Sequence, residues 1–107
     1  MRYVDIPLDN SAFYDLSITL QGESYVIEFV YNERVQLYFM SLFDADRNPI
    51  VQSVAVVPNY PIMFDYVIPN LTGWFTLIPK GKLDQEAYKL FPENIKEYYS
   101  FVYAYLG

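Results

Sequence analysis

Apolar and polar side chains alternate with a period of two along most of the chain. A strand, whose successive residues point to opposite faces of a sheet, produces that spacing. Residues 17–20, "SITL", alternate and run into "QGES", where Gly22 suits a tight turn. "YVIEFVY" follows, with Tyr25, Ile27, Phe29 and Tyr31 on one face and Val26, Glu28 and Val30 on the other. "NER" (residues 32–34) supplies a polar turn into "VQLYFMSLF", which divides into Val35, Leu37, Phe39, Ser41 and Phe43 against Gln36, Tyr38, Met40 and Leu42. Phe29 and Phe39 are the expected core residues, each on the more apolar face of its strand.

A turn through "DADRNP" leads to "IVQSVAVV", residues 50–57, rich in β-branched residues. "PNYP" breaks this run, because proline cannot donate to a ladder. "IMFDYVI" and "WFTLI" are two further strands, separated by Pro69, Asn70 and Gly73. The spacing then changes: Leu83, Ala87, Leu90 and Phe91 predict one short helix over residues 83–91, with Asp84 and Glu86 early, Lys89 late and Pro92 as its stop. "EYYSFVYAY" closes the chain as a strand with Tyr99, Phe101, Tyr103 and Tyr105 on one face. Six to eight short strands joined by short connections predict one all-β domain over residues 1–107, an antiparallel β-sandwich or small β-barrel.

The composition narrows the chemistry. The chain has 107 residues, no cysteine and no histidine, which removes disulfides, thiolate catalysis, cysteine zinc sites and the usual acid–base residue near neutral pH. Its net charge of −6 repels a phosphate backbone, so no nucleic acid is expected. The lysines fall late, at Lys80, Lys82, Lys89 and Lys96, so the acidic excess belongs to the earlier part. The N-terminal stretch, with Asp5, Asp9 and Asp15, lacks the basic and apolar regions of a signal peptide. Apolar runs fall well short of the roughly 20 residues a membrane helix needs, so no membrane partner is expected and the chain reads as cytosolic and soluble. Aromatic residues make up 20% of the chain. That proportion predicts rings left over for a partner once the core is full.

Three constellations could carry chemistry. Asp44, Asp46 and Asn48 occupy positions 1, 3 and 5 of a calcium-loop pattern, but Pro49 and Ala55 stand where the ion's geometry needs glycine and a bidentate glutamate. Aspartate and asparagine also cap their own backbone in turns, so a turn without metal is expected. Glu28 and Asp65 interrupt apolar strands and could be partly buried carboxylates. Neither has a partner that sequence alone can identify, and no serine or threonine has a histidine to activate it. No catalytic residue and no cofactor is therefore expected. The third constellation is the aromatic tail, which could be a sugar-stacking platform with Trp74 or a protein-binding edge strand. The rings alternate with Ser100, Val102 and Ala104 as in a strand packed on both faces, which favours core plus interface over sugar; Tyr99, Tyr103 and Tyr105 are the candidate interface residues, with packing inside the domain as their alternative.

From Tyr25 onward, "YVIEFVYNERVQLYFMSLFDADRNPIVQSVAVVPNYPI" resembles a family of small tailed-phage proteins typified by the plug of a cyanophage contractile-tail baseplate. The resemblance lies in Tyr31-Asn32 with Arg34, Tyr38-Phe39, the turn from Asp44 to Ile50, and the valine run from Val56 into Pro61. It departs at Asn48, where the family usually has glycine, and over residues 80–95. It implies a structural virion protein of the tail, made in the host cytoplasm, near tube, hub and spike. Its partners would be other baseplate proteins and copies of itself, with no catalytic role. The rival expectation is a small carbohydrate-binding module.

Overall fold

The computed structural model describes residues 2–58, 61–63, 68, 71–80 and 95–105. Its elements are β1 (Arg2–Ile6), β2 (Phe13–Leu20), β3 (Glu23–Asn32), β4 (Leu37–Asp44), β5 (Pro49–Ala55), β6 (Trp74–Pro79), α1 (Ile95–Tyr98) and β7 (Tyr99–Tyr105). They form two antiparallel sheets, a meander β2-β3-β4-β5 and a three-stranded sheet β1-β7-β6. Among the described residues no ladder joins the sheets, so the fold is a sandwich and not a closed barrel.

Turn chemistry fixes the meander. Gln21 and Gly22 both have positive φ, 49° and 85°, the two-residue hairpin geometry whose twist matches its strands. At the next turn the Asn32 side-chain oxygen accepts the N–H groups of Arg34 and Val35, at 2.9 and 3.4 Å. Gln36, at φ 57°, donates its N–H to the Asn32 carbonyl at 2.8 Å. Val35 and Gln36 therefore belong to the turn, and β4 begins two residues later than its sequence pattern predicts.

That turn also decides which face of β4 is inside, and it overturns one expectation. Residues opposite each other share a face, and Phe29 lies opposite Met40 while Val30 lies opposite Phe39. Tyr38, Met40 and Leu42 are accordingly buried, and Phe39 is half-buried on the outer face. Both faces of the strand are apolar, so periodicity alone could not choose between them. Tyr25, Ile27 and Phe29 point inward as expected.

The core is largely aromatic. Phe29 of the meander meets Phe101 of the other sheet edge to face, with ring centroids 5.6 Å apart. From there contacts run to Phe75, stacked on Phe101 at 5.9 Å, and on to Tyr103 at 5.1 Å. On the meander side, Tyr14 stacks on Phe29 at 5.0 Å, and burial pushes its hydroxyl up to about 12. Leu20, Ile27, Leu42, Ile62 and Leu77 fill the spaces between rings. Tyr25, Phe29, Tyr38, Phe75, Tyr99, Phe101 and Tyr103 are all buried, while Tyr3 and Phe13 stay exposed.

The C-terminal strand is the second correction. β7 is not an edge: β1 pairs with it on one side, from Arg2 opposite Tyr105 to Ile6 opposite Phe101, and β6 on the other. The five-residue β1 carries too short a pattern to announce itself, and without it β7 looks unpaired. α1 takes residues 95–98, so β7 starts at Tyr99. The helix expected over residues 83–91 and the position of Asp65 lie outside the described residues, as does most of the expected strand at 62–68.

Candidate functional site

The Asp44 turn is built by its own side chain. Asp44 Oδ1 accepts the backbone N–H groups of Asp46 and Asn48, each at 2.9 Å, and Oδ2 accepts from Asn48 Nδ2 at 3.1 Å. The Arg47 N–H donates to the Asp44 carbonyl, and Arg47 takes the left-handed conformation at φ 64°. These contacts, the Asn48 backbone first, hold the Asp44 carboxyl below its ordinary value of 3.8. Both oxygens thus accept hydrogen bonds from within the turn. No group of three or more metal-ligating side chains forms among the described residues.

Because the folded carboxyl is the stronger acid, its contribution to stability is present above the ordinary aspartate pKa and is lost as pH falls through the lowered one. Asp44→Ala should lower the melting temperature by a few degrees at neutral pH. Millimolar calcium should move neither protein. A calcium-induced rise in the parent that disappears in Asp44→Ala would reinstate a metal site.

The three tyrosines expected to form an interface are drawn inward. Tyr99 and Tyr103 are 1% and 0% exposed, and Tyr105 is half-buried, stacked on Tyr103 at 5.6 Å. Tyr103 has an internal task. Its hydroxyl donates to Gln21 Oε1 at 2.6 Å and accepts the Gly73 N–H at 2.9 Å. The Thr72 N–H also donates to Gln21 Oε1, at 2.9 Å, while Gln21 Nε2 donates to Thr72 Oγ1 at 3.0 Å. The clasp ties the β2–β3 turn to the three-stranded sheet. Burial raises the Tyr103 hydroxyl pKa, against the lowering effect of the Gly73 and Thr72 backbone bonds.

Trp74 does not join these rings in a sugar platform. It pairs with Ala104, and Phe75 with Tyr103, so Trp74 and the tyrosines occupy opposite faces of the sheet. Glu28, in contrast, acquires a neighbour the sequence could not locate: Asp15 lies directly across from it. Arg47 pairs with Asp15 at 3.0 Å, with both side chains well exposed. The two carboxylates and Ser41 form a polar row across the middle of the meander's outer face.

Beside that row runs an apolar one. Phe13, Val30, Phe39 and Ala55 are successive cross-strand partners from β2 to β5. Phe13 is 61% exposed and Val30 38%, and Val35, in the adjoining turn, is 51% exposed. Three of the five large apolar residues exposed among the described ones therefore gather at one end of this face. Phe39, misassigned to the core by sequence, is what makes the row continuous.

A family model described as "Cyanophage baseplate Pam3 plug gp18" matches residues 1–105. The match reaches beyond the stretch that begins at Tyr25 and spans residues 80–95 as well. Comparison with curated proteins gives no match.

Proposed function

The chain belongs to the cyanophage baseplate plug family, and from that premise we propose that it is a non-enzymatic structural part of a phage tail, a plug assembling near tube, hub and spike. It contacts other baseplate proteins and further copies of itself. The observation that carries this reading is the apolar row of Phe13, Val30 and Phe39 on the outer face of the meander, exposed at Phe13 and Val30, in a protein matched to a baseplate component over residues 1–105. Aromatic and aliphatic surface in one contiguous row is what an interface needs and an isolated domain does not.

Light scattering of the purified chain across micromolar concentrations, alone and with neighbouring tail proteins, tests it. Association should appear, and Phe13→Ser together with Val30→Ser should weaken it without lowering the melting temperature appreciably. A strict monomer that ignores every tail component but binds an oligosaccharide would replace this reading with the carbohydrate-binding one.

A further inference from the structure

Among the described residues the sandwich has four edge strands, and three of them are blunted. β5 opens with Pro49 and carries two register shifts against β4, one at Ser53 with φ 59°. β6 ends at Pro79, and its outer side is already bonded: Ile62 and Phe75 exchange N–H···O bonds at 2.7 and 3.0 Å. β1 has five residues and runs directly into Pro7. β2 has none of these devices. It is eight residues long, keeps an unbroken register with β3 from Phe13 to Leu20, and contains no proline or lysine. Among the described residues nothing pairs with its other side. Proteins ordinarily guard such an edge, because its free N–H and C=O groups template another strand.

The side chains of β2 also stop short of full burial. Tyr14, Leu16 and Ile18 face inward but are only half-buried, whereas their partners Phe29, Ile27 and Tyr25 are buried. Among the described residues no strand covers the inner layer along the β2 side, where one more strand would extend it.

Charge selects the occupant. Asp15 and Glu28 stand directly opposite each other, an arrangement that is destabilising in a sheet, and among the described residues the ion pair that forms there is Arg47 with Asp15. A second copy paired through β2 would bring another Asp15–Glu28 pair against the first, on a chain of net charge −6. A cation on an incoming strand would instead sit beside two carboxylates. We propose that the β2 edge is a strand-addition site for an extended segment of a different protein, apolar on the face covering Tyr14, Leu16 and Ile18 and carrying lysine or arginine on the face beside Asp15 and Glu28. Main-chain bonds supply affinity in this mode and alternate side chains supply selectivity. The inference rests on the reading of the chain as an assembly part and names the kind of partner one of its surfaces takes.

The probe is a fluorescent nine-residue peptide alternating valine with threonine and lysine, compared with one bearing glutamate in place of lysine. Fluorescence anisotropy with the full chain should show the lysine peptide binding about tenfold more tightly than the glutamate peptide. Asp15→Lys should reverse that preference, and amide hydrogen exchange should slow along β2 and along no other edge. Equal binding of both peptides, protection on β1, β5 or β6, or concentration-dependent protection of β2 with no peptide present would overturn the proposal. Co-assembly with tail proteins while β2 amides exchange as in the free chain would end the strand-addition proposal and leave the assembly reading standing. Failure to associate with any tail protein would remove both.

Discussion

Phe29→Ala should destabilise the protein by about 3–5 kcal/mol, whereas Phe39→Ala should cost only about 1–2 kcal/mol. Phe29 is 1% exposed and touches Tyr14, Tyr38 and Phe101, so truncation empties the junction between the two sheets. Phe39 is half-buried on the outer face, opposite Val30, and its loss opens no cavity in that junction. Chemical denaturation with matched slopes would compare the two. Equal losses, or a larger one for Phe39, would mean that β4 presents its other face to the core. A one-residue slip in register has that effect, because it turns over every side chain of the strand.

Gly73→Ala should be at least as damaging as an overpacked core substitution, about 3 kcal/mol or more, and should lower the melting temperature on the order of 15 °C for a domain of this size. A Cβ at this position would run into the Ala104 carbonyl oxygen and lie 2.8 Å from Tyr105 Cβ and 2.9 Å from the Ala104 carbonyl carbon. The obstacle is backbone in β7, which cannot withdraw without breaking the pairing of Trp74 with Ala104. The Gly73 N–H is also part of the Gln21–Tyr103 clasp. Gln21→Ala separates the two effects: it removes the clasp without touching the close approach, and should cost about 1–3 kcal/mol by leaving the Tyr103 hydroxyl short of a partner. Thermal melts followed by circular dichroism rank the two variants. A Gly73→Ala protein melting within a few degrees of the parent would show that β6 and β7 do not approach this closely.

The fold class and most of the meander were legible in the sequence because β3 buries one face so completely that its alternation leaves no ambiguity. Gly22 and Asn32 marked the turns, and Asp44, Asn48 and Pro49 marked the third. The inner face of β4 was not legible. Leu37, Phe39 and Phe43 are as apolar as Tyr38, Met40 and Leu42, and the number of residues in the turn, not their hydrophobicity, settled the choice. The tail tyrosines were misplaced for a different reason. Whether a strand is an edge depends on what pairs with it, and β1 contributes only Val4 and Ile6 to its inward pattern. The Gln21–Tyr103 clasp joins residues far apart in the chain, so no local signal could announce it. The meander's edge and its outer apolar row become visible only once strand order is known.

The two sheets differ in how far apart in the chain their partners lie. Every ladder of the meander joins strands adjacent in sequence through short turns. In the other sheet, β1 waits for β7 across nearly the whole chain. Closing so long a loop carries an entropic cost that hairpins avoid, and non-local pairings of this kind slow folding. The meander can therefore assemble from its own hairpins, but its aromatic inner face stays uncovered until β7 arrives. Over that interval Phe29, Tyr38 and Met40 are open to capture by another chain, so the protein's exposure to misassembly is set by the time β7 takes to dock on the meander.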